Sequence, residues 1–117
     1  MSTVVHGLAQ CDTVKKARAW LDARGVDYRF VDFKKTPPTR EQVARWCEAA
    51  GVEVVLNRRG TTWRGLDAAA QAAASTPAGA IDILVAHPSA IKRPVIETVD
   101  TVLVGFDTAR YESTFTA

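Results

Sequence analysis

The sequence predicts an α/β domain with a four-stranded mixed sheet and a run of helices inserted between its two halves. Three observations lead there. A strand–helix–strand pattern occupies the first ~33 residues, which is the span of a βαβ unit. The middle of the chain is broken into short helical pieces by Gly and Pro, and the end carries two β-branched runs and a closing amphipathic segment. With 117 residues the chain is the size of one ordinary domain. Apolar residues make up 47% and charged residues 24%, which excludes a disordered, collagen-like or disulfide-stapled chain. Fifteen Lys+Arg against thirteen Asp+Glu leave a net charge of +2, too mild to point to direct nucleic-acid or membrane binding. Two cysteines, Cys11 and Cys47, are too few for a disulfide framework and fit a reducing compartment.

Val4-Val5-His6-Gly7-Leu8 is β-branched and ends at a glycine, so it reads as a buried first strand. A helix follows, capped by Asp12 or Thr13, with Val14, Ala17, Trp20 and Leu21 on one face and Gly25 as its stop. Tyr28 to Phe33 is aromatic and β-branched, a second strand parallel to the first. After the loop 34–38, Thr39 opens a helix with Gln42 three residues on, a capping box, and Val43, Trp46, Cys47 and Ala50 form its apolar face up to Gly51. Leu56 to Ala86 contains Gly60, Gly65, an alanine cluster and Thr76-Pro77, and predicts short helices. Val95 to Val99 and Thr101 to Val104 predict an antiparallel hairpin turning near Asp100, and Phe106 to Phe115 a last helix. This order is that of a thioredoxin-like fold, one domain over residues 1–117 with a helical insertion at about 39–87.

The N-terminus lacks the basic start and apolar core of a signal peptide, and the longest uncharged stretch, 68–81, is Ala-rich and broken by Pro77; a cytoplasmic location is expected. Cys11 is the most informative residue. It lies where the first strand hands over to the first helix, so the unpaired N–H groups and dipole of the helix terminus favour a thiolate there, with Lys15 and Lys16 adding positive potential. The alternative is a small thiol packed as an apolar residue. Cys47, on an apolar helix stripe, reads as an inert buried thiol, or as the partner that resolves a disulfide with Cys11; Val14 occupies the place of a Cys-x-x-Cys partner. A second constellation is cationic: Arg58, Arg59, Arg64, Lys92 and Arg93 are opposed between 58 and 93 only by Asp67 and Asp82. Such a cluster is either an oxyanion or carboxylate site or a solvated face, and Pro94, cis or trans, fixes the backbone beside Arg93. His6 and His87 lack metal-ligand spacing, so no metal is expected; His6 reads as a strand residue and His87 as a helix end. Trp20 and Trp46 read as core.

Three separated motifs resemble one family. Gly7-Leu8-Ala9-Gln10-Cys11-Asp12-Thr13-Val14-Lys15-Lys16-Ala17, Leu56-Asn57-Arg58-Arg59-Gly60-Thr61-Thr62-Trp63-Arg64 and Pro88-Ser89-Ala90-Ile91-Lys92-Arg93-Pro94 are similar to the arsenate reductase (ArsC)/Spx family, above all to its YffB branch. The resemblance implies a thioredoxin-like core and a glutathione-dependent thiol reductase. Cys11 matches the nucleophile, Arg59 and Arg93, with Arg58 and Lys92, the substrate-binding cations of one pocket, and Pro94, Asp12 and Thr13 the residues that shape the site. It further implies no bound cofactor, glutathione as co-substrate, a glutaredoxin-like reductant, and a small thiol or oxyanion substrate. The same family also contains arsenate reductases proper and Spx-type regulators that bind RNA polymerase. These are the alternative functions.

Overall fold

The computed structural model describes residues 3–115, which fall into two compact units, residues 3–36 with 93–115 and residues 37–92. In the first unit, strand β1 (Val4–Gly7) is central. It pairs in parallel with β2 (Arg29–Asp32) and antiparallel with β3 (Val95–Glu97), and β3 pairs antiparallel with β4 (Val102–Val104). The order β2-β1-β3-β4 makes a mixed four-stranded sheet of thioredoxin-like α/β type. Val5 sits opposite Phe30 on one side and Ile96 on the other, so its side chain starts the core.

Helix α1 (Asp12–Ala23) buries Val14, Ala17 and Leu21, the i, i+3, i+7 stripe of an amphipathic helix. It ends where Gly25 takes a φ of +68°, open only to a residue without Cβ strain. Neither Asp12 nor Thr13 caps it: the N-cap residue is Cys11, one position earlier. Helix α7 (Thr108–Phe115) closes the unit and contributes Tyr111. Val5, Ala17, Leu21, Ile96, Leu103 and Tyr111 form one cluster, each at most 2% exposed, with Trp20 half-buried at its edge. Full burial of each large apolar side chain stabilises the fold by ~1.5–3 kcal/mol.

The strands are shorter than their apolar runs. Leu8, Tyr28 and Phe33 fall outside them, and Val99, expected at a strand end, lies in the turn and is 73% exposed. Beyond Glu97 the Thr98 N–H donates to the Thr101 carbonyl at 2.9 Å in the same register, closing the hairpin and leaving Val99 and Asp100 as its two-residue turn. Helix α7 starts two residues after Phe106, because Asp107 accepts the Arg110 N–H and so caps the helix there.

The second unit is helical: α2 (Arg40–Ala50), α3 (Val52–Val55), α4 (Thr61–Arg64), α5 (Ala68–Ala73), α6 (Pro77–Ala86) and a 3-10 turn (Pro88–Ala90). The capping box at Thr39 and Gln42 forms, with the Thr39 hydroxyl accepting from the Gln42 N–H at 3.1 Å and the Gln42 side chain accepting from the Thr39 N–H at 2.8 Å. Val43, Trp46 and Cys47 are buried as their spacing requires. Asp67 and Thr76 cap α5 and α6, and Pro77 stands at the first position of α6, where its missing N–H costs nothing. No helix of the described residues is long and apolar enough to cross a membrane.

Candidate functional site

The first unit holds the thiol. Gly7 ends β1, Leu8 to Gln10 form a turn in which the Cys11 N–H donates to the Leu8 carbonyl at 3.1 Å, and the chain enters α1 at once. Cys11 is extended (φ −75°, ψ 126°), half-buried, and its carbonyl accepts the first helical bond from Lys15 at 2.9 Å. Its side chain closes no cap bond of good geometry, yet the free N–H groups of Val14 and Thr13 lie close enough to favour a charged sulfur. Burial alone would push the thiol pKa up. The Val14 N–H, a hydrogen bond from the Arg93 side chain, the Thr13 N–H and the Arg93 charge together outweigh it, and the thiol titrates below its ordinary value. The cation that acts on the sulfur is therefore Arg93, whereas Lys15 and Lys16 lie exposed on α1. Arg93 is half-buried and is joined to the buried Pro94 by a cis peptide bond immediately before β3.

Asp12 and Thr13 begin α1, both with exposed side chains; Thr13 contributes through its backbone and Asp12 as an acidic group in the first turn. Cys47, in contrast, is buried in α2, and burial pushes its thiol up. His6 is a strand residue 2% exposed, its Nε2 2.7 Å from Glu97 Oε1, and His87 ends α6.

The second unit holds the other cations. Arg58, Arg59 and Lys92 are exposed and line a cleft of about 340 Å³ together with Glu53 and Asn57. The backbone here is pinned: the Asn57 side chain accepts the Arg59 N–H at 3.2 Å, the Asn57 N–H donates to Ala90, and the Lys92 N–H donates to Val55. These bonds, with the Leu56–Ile91 bridge, bring two sequence-distant basic segments to one place. The Arg58 guanidinium lies 5.4 Å from the centre of the half-buried Trp63 ring. Arg64, expected with this group, ends α4 exposed and is not among the cleft's lining residues. Asn57 and Glu53 had no assigned role in the sequence, although Asn57-x-x-Gly60 is a readable turn signal. A larger cleft of about 530 Å³ lies between the β3–β4 turn and the end of α7. Its hydroxyls are turned to its own walls, those of Thr98 and Thr101 to the Asp100 carboxylate and those of Ser113 and Thr114 to the Arg110 carbonyl, and among the described residues no Lys, Arg, His or Cys lines it.

The ArsC family profile matches residues 6–114. The chain belongs to the ArsC family. A solved structure of a YffB protein superposes with a TM-score of 0.92 at 46% identity, covering 96% of this chain and 97% of that one. An uncharacterized protein of Haemophilus influenzae is 32% identical over 111 residues, 95% of this chain and 96% of its own length. The global transcriptional regulator Spx of Streptococcus pyogenes is 26% identical over 99 residues, 83% of this chain and 72% of its own. The ArsC-type and YffB-type resemblance of the three motifs thus holds along nearly the whole chain.

Proposed function

We propose that this ArsC-family chain is an oxidoreductase, a thiol reductase that uses Cys11 as its single nucleophile and glutathione as co-substrate. One observation carries the reading: a half-buried cysteine at the start of α1 whose sulfur is hydrogen-bonded by Arg93 and favoured as thiolate. The Cys11 thiolate attacks one sulfur of a disulfide, forming a mixed disulfide and expelling the other sulfur as a thiolate that takes its proton from water. A glutathione thiolate then attacks the mixed disulfide, Cys11 leaves as thiolate, and a substrate–glutathione disulfide results. A second glutathione thiolate attacks its glutathione sulfur and releases the substrate thiolate with glutathione disulfide as product, so the two electrons come from two glutathiones. A glutaredoxin-like thiol could supply the second attack equally well. With Val14 three residues on, and with Cys47 buried as a thiol of raised pKa, resolution is assigned to the external thiol. Arg93 pairs with the reacting sulfur, and Arg58, Arg59 and Lys92 are the groups that would take a carboxylate or oxyanion. Asp12, Thr13 and Pro94 shape the nucleophile's surroundings. No bound metal or cofactor has a part in these steps, and a reducing cytoplasm would supply the glutathione.

Incubation with glutathione disulfide should give one glutathione per chain by intact mass, reversed by excess glutathione and lost in Cys11→Ser. Absence of the adduct in the wild type, or its persistence in Cys11→Ser, overturns the assignment. Arsenate-dependent oxidation of Cys11 in the same assay would make the oxyanion the substrate. The Spx relatives favour a second, regulatory reading, in which the chain docks on RNA polymerase. Co-precipitation with purified RNA polymerase that survives Cys11→Ser would favour it over the reductase.

A further inference from the structure

The sulfur's cation, Arg93, is separated from the short strand β3 only by Pro94, and something must hold that point of the chain. The ladder between β3 and β4 pairs Val95 with Val104, and one rung beyond it the Gly105 N–H donates to the Pro94 carbonyl at 2.8 Å. Gly105 has a φ of +82°, so the chain turns out of β4 there in a conformation that side chains resist. Its carbonyl is in turn held by the Tyr111 hydroxyl, which donates to it at 2.7 Å from α7. Pro94, Gly105 and Tyr111 are all buried, so water cannot replace these bonds.

We propose that Tyr111 is a positioning residue for the site: its hydroxyl fixes Gly105, Gly105 fixes Pro94, and Arg93 is thereby held against the Cys11 sulfur. The inference rests on the reading of Cys11 as a working thiolate. Packing alone does not account for Tyr111. Its ring meets Trp20 and Phe106 edge-on, each at 5.4 Å between centroids, and a phenylalanine would keep both contacts. The residue, by contrast, is 1% exposed, and its hydroxyl donates to the Gly105 carbonyl. Burial, with the nearby Asp107 charge, raises its pKa, so it stays a protonated donor through the pH range in which a thiol titrates.

The test is the pH profile of Cys11 alkylation by iodoacetamide in the full chain, read by intact mass. Tyr111→Phe keeps the ring and removes the donor. The charged groups at Cys11, namely Arg93 on the sulfur and Asp12, Lys15 and Lys16 on the exposed first turns of α1, all remain. Tyr111→Phe should raise the Cys11 pKa by about half a unit and slow alkylation at neutral pH ~3-fold, in proportion to the thiolate lost. Arg93→Ala should raise the pKa further, and adding Tyr111→Phe to Arg93→Ala should change nothing more. Glu112→Ala, which removes the α7 ion pair with Arg24, should leave the profile where it is. An unmoved profile in Tyr111→Phe, or an equal shift in the Arg93→Ala background, overturns the relay while leaving the thiolate intact. A wild-type Cys11 that titrates at its ordinary value overturns the thiolate reading and the relay with it. Gly105→Ala offers a second route if Tyr111→Phe does not fold: it disturbs the same link from the other side and should shift the profile in the same direction.

Discussion

Replacing Gly7 by alanine tests the geometry of the strand-to-helix handover without touching the reacting residues. A Cβ built on Gly7 lies 2.7 Å from Cγ2 and 3.3 Å from Cγ1 of Val14, which is fully buried. Ordinary contact begins at 3.4 Å, so β1 and the first turn of α1 must separate by roughly 0.7 Å, or Val14 must leave its rotamer. Overpacking of this kind costs ~1–3 kcal/mol. For 117 residues the entropy of unfolding makes each kcal/mol worth about 4 °C, so a fall in melting temperature of ~4–12 °C is expected. The second readout is chemical. The Val14 N–H is among the groups that favour the Cys11 thiolate, so moving it should raise the thiol pKa. Thermal denaturation and pH-dependent alkylation of the same preparation measure both. A Gly7→Ala protein that melts with the wild type and titrates with it would refute the reasoning, since the close approach would then be absorbed elsewhere at no cost.

Gly79→Ala should be far more damaging, because its Cβ would lie within bonding distance of the Ala73 carbonyl oxygen; loss of more than ~4 kcal/mol, seen as little folded protein by circular dichroism, is expected. Thr39→Ala removes one side of the capping box at α2 and should lower stability by ~1 kcal/mol in urea titration. The depressed pKa of Cys11 fixes the sign of a pH effect. The folded chain favours the thiolate, so this contribution to stability is complete above the ordinary value of 9.0 and disappears as pH falls through the lower, folded value. Cys47 works in the opposite sense, its contribution fading as pH rises through 9.0. In a Cys47→Ala background, the melting-temperature gap between Cys11 and Cys11→Ser proteins should therefore widen as pH is raised towards 9.

The helical stripe of α1, the Thr39–Gln42 box and the terminal hairpin were legible because each rests on residues a few positions apart. Cys11 was legible as a chemical candidate for the same reason, since strand end and helix start adjoin it in the sequence. The start of α1 was misplaced because Asp12 and Thr13 are good capping types, whereas the chain places Cys11 at the cap and leaves the terminal N–H groups to the sulfur. The source of positive charge was also misplaced. Lys15 and Lys16 are near Cys11 in sequence, but the guanidinium that reaches it comes from Arg93, through a pairing of β1 with β3 that no local pattern encodes. Likewise the His6–Glu97 contact depends on strand register, which apolar runs longer than the strands themselves left undetermined.

The sheet-bearing unit is assembled from the two ends of the chain, with the whole helical unit translated between them. During synthesis β1, α1 and β2 emerge early, and β1 then waits for β3 on its other side. Throughout that interval Cys11 is present without Arg93. A nascent chain that has not reached residue 93 thus carries Cys11 with the Val14 and Thr13 N–H groups beside it but without the guanidinium that completes the stabilisation of its thiolate.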